Sequence, residues 1–131
     1  AARPRWSRGS IPRGTSRAQL EAYALATAAL LKTDRAAALR RRTEVITEIN
    51  AVGRVIRSGT TGHDVRIPED VTIDALLPIR CGPYKELFRI RFFSTGMSCG
   101  GVISLSRLGI SYDVRVNWLT GGVDVVAVNR T

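Results

Sequence analysis

The chain has 131 residues, 44% of them hydrophobic and 24% charged, which suits one soluble domain and leaves too little for two of ordinary size. One histidine, His63, and two cysteines, Cys81 and Cys99, cannot assemble the four-ligand sites of structural zinc, so neither a metal nor any other cofactor is expected. The net charge of +9 points to a polyanionic partner, yet residues 1 to 58 hold 12 of the 20 cations against 4 acids, and the remainder is nearly balanced at 8 against 7.

Residues 1 to 17 are rich in Arg, Pro, Gly and Ser and carry little to bury beyond Trp6 and Ile11. They are expected to form a disordered basic tail, or a remnant standing where another segment has been removed. The domain proper then runs from 18 to 131. No apolar run reaches the roughly 20 residues that cross a bilayer; the longest, Ala24 to Leu31, is interrupted by Thr27. No secretory leader opens the chain. As written it is expected to be soluble, naturally or because a leader or anchor has been taken off.

Ser16 can act as N-cap for a long helix over about 16 to 42, a stretch dense in Ala, Leu, Arg and Gln without Gly or Pro. Leu20, Ala24, Thr27, Leu31 and Ala38 lie on one stripe, with Tyr23 and Ala28 beside it, and this is the face expected to pack on a sheet. Arg40, Arg41 and Arg42 close the helix, where they complement the negative end of its dipole.

After Thr43 the texture is β. The segments TEVITEIN, VGRVIRSG, DVRIP, DVTIDALLPI, LFRIRFF, GVISLSRL, YDVRVNW and VDVVAV give seven or eight short strands. Phe88, Ile90 and Phe92 alternate with Arg89 and Arg91, and Tyr112, Val114, Val116 and Trp118 with Asp113, Arg115 and Asn117. One dry and one wet face per strand favours antiparallel sheets, and the lack of later helical patterns excludes βαβ folds. The fold class is therefore α+β: one helix packed on antiparallel sheets in a sandwich-like head.

Catalytic signals are weak. His63 sits in the turn TTGH with no nucleophile placed beside it by a motif, so a small hydrolase has little support. Glu69 and Asp70 follow Pro68 in a turn, while Asp113 and Asp124 belong to wet strand faces. The glycines of TGMSCGG and LTGGV run from strand to strand rather than into a helix, which suits hairpin turns and not phosphate binding. Cys81 and Cys99 flank the LFRIRFF strand; an oxidising compartment would join them and add about 3 kcal/mol, while two buried thiols are the alternative.

The ordered combination of an Ala-rich helix ending RAAALRRR, the stretch IRFFSTGMSCGGVISL and the terminal VRVNWLTGGV resembles the H-type minor pseudopilins of bacterial type II secretion, the GspH/FimT-like family. The resemblance covers about residues 18 to 128. Its motif positions are Phe92, Phe93, Gly96, Gly100, Gly101, Leu119, Thr120 and Gly121, with Ser94 and Thr95 where the family usually has Pro-Asp and Gly122 where it has Arg. The resemblance implies a pilin-like fold, a missing N-terminal anchor helix with its processing and methylation site, and a β head in the periplasm. It also implies a structural role at the tip of a pseudopilus that exports folded proteins. Implied partners are other major and minor pseudopilins, together with the secreted substrate or the secretin. The alternative is a type IV pilus minor pilin that binds DNA for uptake; the basic Gly-Arg motif of those proteins is reduced here to Arg130.

Overall fold

The computed structural model describes residues 14–85 and 88–129. Of the expected tail, positions 1 to 13 lie outside the described residues, as do the first residue of LFRIRFF and Arg130.

Helix α1 (Arg17–Arg41) begins where Ser16 was expected to cap it. The Ser16 hydroxyl accepts from the Gln19 amide and the Gln19 side chain accepts from the Ser16 amide, so two otherwise orphaned donors are satisfied reciprocally. At the other end Arg42 turns left-handed (φ 52°), and both its own amide and that of Thr43 donate to the Ala38 carbonyl. Arg40 and Arg41 occupy the last turn, while Arg42 is the cap. Leu20, Ala24, Thr27, Ala28, Leu30, Leu31, Asp34, Ala37 and Ala38 are buried. Thr27 sits on this dry face without penalty because its hydroxyl donates to the Tyr23 carbonyl.

Among the described residues, the helix is followed by β1 (Val45–Asn50), β2 (Val55–Arg57), β3 (Asp64–Arg66), β4 (Thr72–Leu76), β5 (Arg80–Cys81), β6 (Tyr84–Lys85), β7 (Arg89–Phe92), β8 (Gly101–Arg107), β9 (Ile110–Val116) and β10 (Val123–Asn129). They form two four-stranded antiparallel sheets, ordered β3-β2-β1-β7 and β10-β9-β8-β4, plus the small hairpin β5-β6. The helix packs on both sheets, so one hydrophobic core serves the molecule. Phe92, Leu20, Leu31, Ile49, Ile56, Ile90, Ile103 and Leu105 are its largest fully buried side chains, each contributing about 1.5 to 3 kcal/mol. A disulfide joins Cys81 of the small hairpin to Cys99, with the two Cα atoms 5.7 Å apart.

Four expectations about which face is wet are corrected. Phe88 does not share the face of Ile90 and Phe92: its backbone is left-handed (φ 62°), it precedes β7, and its ring is 61% exposed. Arg91, expected in water, is buried because the β5-β6 hairpin covers it, with the guanidinium 3.9 Å from the Tyr84 ring centroid and 2.6 Å from Glu44. Asp113 is buried as well, accepting from the hydroxyls of Ser104 and Ser111 on the same sheet. Trp118 lies beyond the end of β9, in a turn, and is exposed rather than dry.

The least expected core member is Asp34, a fully buried carboxylate on the apolar face of α1. Its Oδ2 accepts from the Thr47 hydroxyl (2.6 Å) and the Gly59 amide (2.9 Å), and its Oδ1 from the hydroxyls of Ser58 (2.6 Å) and Thr60 (2.7 Å). Four donors replace the lost hydration, which a buried charge requires. They tie the helix to β1 and to the loop after β2. Replacing Asp34 by Ala strands three hydroxyls in a dry site, so the D34A protein should lose about 3 kcal/mol or more in urea unfolding. A loss below about 1 kcal/mol would show that the cluster does not hold the helix.

Candidate functional site

The structure places the chemistry-bearing residues apart from one another. His63 is exposed in its turn, donating its amide to the Thr61 hydroxyl and offering its carbonyl to Ser58. Among the described residues no group of three His, Cys, Asp or Glu side chains could hold a metal ion. Asp124 is exposed on β10.

The first surface is the uncovered side of α1. Ala18, Ala22, Leu25, Ala29 and Ala36 are exposed, and at 3.6 residues per turn they fall within about 40° of one line, running about 27 Å along the helix. Ala26 and Thr33 widen the strip, and Lys32 and Arg40 border it. The opposite face holds Leu20, Tyr23, Ala24, Thr27 and Leu31 against the head, with Tyr23 half-buried. One side of the helix is thus fixed to the sheets, and the other is open and mostly small, with Leu25 and, at its edge between Ala29 and Ala36, Lys32 as its larger members.

The second surface is built where the turns carrying the glycine-rich motif meet the helix. The turn after β7 closes with Phe93 donating its amide to the Met97 carbonyl and Gly96 to that of Phe93. The turn after β9 closes with Gly121 donating to the Asn117 carbonyl. These turns touch: a side chain at Gly121, whose φ is +74°, would run into the Gly96 carbonyl oxygen. Arg35 locks the contact from the helix, its Nε donating to the Gly96 carbonyl and its Nη2 to the Thr120 carbonyl, both at 3.0 Å. Phe92 is fully buried beneath, Phe93 is half-buried, and Leu119 and Thr120 point into solvent. Gly100 abuts Trp118, and Gly101 abuts Leu77, just beyond edge strand β4 of its own sheet.

The sequence did not single out Asp34 or Arg35. Asp34 carries a signal in retrospect, since it continues the stripe of Leu31 and Ala38 and a hydroxyl-rich loop follows at Ser58, Thr60 and Thr61, whereas Arg35, whose acceptors are remote backbone carbonyls, carries none.

At the start of the helix the chain is held by Asp70. Its carboxylate accepts from the Thr15 amide (2.6 Å) and hydroxyl (2.8 Å), and Arg107 pairs with it at 2.9 Å while also donating to the Thr15 carbonyl. The Thr15 amide and hydroxyl, aided by the Arg107 charge, hold the Asp70 carboxyl below its ordinary value.

No family model and no curated protein matches the chain. Solved structures share its fold. The type IV minor pilin FimU of Pseudomonas aeruginosa superposes with a TM-score of 0.62 at 14% identity, covering 87% of this chain and 96% of that one. The minor pseudopilin EpsH of the type 2 secretion system of Vibrio cholerae gives 0.65 at 12% identity, over 82% and 96%. A second crystal form of FimU gives 0.57 at 12% identity. The chain therefore has the α+β fold of minor pilins and minor pseudopilins, the fold that its motif resemblance implies.

Two predictions follow from the contacts at the ends of the helix. A carboxylate held below its ordinary pKa stabilises the fold above the unfolded range near about 4 and loses that contribution as pH falls towards the folded value. Urea midpoints measured between about pH 6 and pH 3 should fall, and should fall less in D70N; equal slopes would remove Asp70 from the account. At the other end, G121A should cost several kcal/mol because two backbones must separate, and a near-normal melting temperature would contradict the close contact.

Proposed function

We propose that this chain is the head and lower helix of a minor pseudopilin, a non-catalytic subunit of the type II secretion filament that drives folded proteins across the outer membrane. The observation that carries the reading is the two-sided helix: one face is built into the head, and the opposite face is a long open strip made mostly of alanine, with Leu25 in it and Lys32 at its edge. A small apolar strip allows another helix to approach closely, and head-to-tail packing of like subunits produces an open helical assembly. The shared fold of EpsH and FimU supports a filament subunit. The motif resemblance to H-type pseudopilins favours secretion over a DNA-capturing pilus.

No described helix is long and apolar enough to cross a membrane, and the reading assigns anchoring in the inner membrane to a segment preceding α1. The Cys81–Cys99 bridge fits a head that matures in an oxidising compartment such as the periplasm. Partners are other pseudopilins along the helix and, at the tip, the substrate or secretin.

The test is a charge on the open strip. A29E changes no buried contact, so the purified domain should melt like the wild type. In the native host the full-length variant should reduce exoprotein secretion at least tenfold, as deletion of the gene should. Normal secretion by the A29E strain would refute helix-driven assembly, and normal secretion after deletion would refute the secretion role. Binding of duplex DNA with a steep salt dependence, retained without residues 1 to 13, would move the protein to the pilus reading.

A further inference from the structure

The chain does not enter α1 along the helix axis. Gly14 is left-handed (φ 86°), Thr15 lies outside the helix, and Ser16 is extended (φ −76°, ψ 166°) before the first helical residue, Arg17. In a helix running on through these positions the Gln19 amide would donate to the Thr15 carbonyl. Here that amide is taken by the Ser16 hydroxyl, and the Thr15 carbonyl accepts from Arg107 instead.

An N-cap works through its own hydroxyl and needs no help from the rest of a fold, yet this helix start is also tied to the head. Thr15 is buried, and its three polar groups are all engaged by residues 55 and 92 positions away: the amide and hydroxyl donate to Asp70, and the carbonyl accepts from Arg107. Asp70 and Arg107 also pair with each other. Asp70 stands just before β4 and Arg107 ends β8, two strands that pair through Thr72 and Ser106 at this end. The clamp is therefore mounted on a sheet. A side chain at Gly14 would run into both Arg107 and Asp70. The sequence agrees, since Pro12 and Gly14 are the two residue types that a helix interior tolerates least.

We propose that Gly14, Thr15 and Ser16 form a locked elbow, which turns the chain off the axis of α1 and fastens it to the head through Asp70 and Arg107. A segment preceding the helix then joins the head at a fixed angle and not as the upper half of one straight rod. The elbow belongs to this chain, whereas its use in steering a membrane anchor rests on the assembly reading. A pull along that segment falls first on the Thr15 contacts, which pass it to the sheet of β4 and β8. The open strip, which begins at Ala18, lies wholly on the head's side of the elbow and keeps its length.

The experiment reads the sign of a stability change. In urea unfolding of the 131-residue chain, G14A should lower the folding constant by about fivefold or more, because alanine there meets a left-handed backbone as well as the clamp. S16A should lower it by about fivefold through the lost cap. Were the helix continuous through these positions, both substitutions would raise the constant, alanine being the better helix former. A rise or no change in either variant overturns the elbow. In the full-length protein, held in vesicles of phosphatidylethanolamine and phosphatidylglycerol, hydrogen exchange should find the Arg17 and Ala18 amides unprotected, since no helical carbonyl lies one turn before them. Protection of both amides would mean a helix running through and would equally overturn the proposal. Secretion by the A29E strain decides the assembly reading without touching residues 14 to 16, so either can fail alone.

Discussion

A carboxylate with no water around it sets the position of everything else. Asp34 accepts four hydrogen bonds from β1 and from the loop after β2, and the next residue, Arg35, donates two to the turns after β7 and β9. Apolar packing would let the helix slide or rotate by a residue at small cost, since alanines and leucines are partly interchangeable contacts. Hydrogen bonds to a buried charge do not permit that, because any shift leaves the charge short of donors. Consecutive helix residues point about 100° apart, so one pair addresses two different parts of the head. The two sheets share no strand-to-strand ladder, and the helix that both pack against supplies the common reference.

That arrangement explains why the glycine-rich turns matter. The two turns meet because Gly121 carries no side chain where it faces the Gly96 carbonyl, and Gly96 in turn leaves room for Arg35 and Leu39 of the helix. Their carbonyls then face the helix closely enough for one guanidinium to bridge them. Larger residues would push the turns apart, and Arg35 would lose one of its acceptors. Gly96, Thr120 and Gly121 are therefore parts of one joint. At 12 to 14% identity to FimU and EpsH, little else in the chain need be shared beyond alternation and helix periodicity.

The helix, its cap at Ser16 and the eight principal strands were legible because each depends on local pattern: a capping residue, an uninterrupted run of good helix formers, and period-two alternation bounded by Gly and Pro. The misjudged residues share a different cause. Alternation says that a strand has two faces, but coverage of the second face is decided by elements remote in sequence. Arg91 was read as wet and is dry because the disulfide-tethered β5-β6 hairpin lays Tyr84 over it. Asp113 is dry because two serines satisfy it, Ser104 from the neighbouring strand β8 and Ser111 from its own strand. Phe88 and Trp118 were read as strand residues, yet the backbone leaves the strand at both points, and a left-handed φ at Phe88 has no signal in a residue type that ordinarily avoids it. Asp34 escaped notice for the same reason as Arg91: its partners lie 13 to 26 residues away.

The two sides of α1 make opposite demands, and the sequence meets both with few residue types. The inner side needs volume and a fixed register, which Leu20, Leu31 and the Asp34 cluster provide. On the assembly reading, the outer side must stay soluble in the isolated domain yet accept close contact with another helix. Leucine at every outer position would create a large exposed apolar patch, with the self-association that such patches cause. Charged residues along its centre would hold a second helix off, and the one cation within its length, Lys32, stands at its edge. Alanine exposes little apolar area, has the highest helix propensity, and loses no side-chain entropy on burial. In the assembly proposed above, such a strip would be inert in a single subunit and adhesive only when many small contacts form together along a second rod, so that association would depend on alignment over the length of the helix rather than on any one residue.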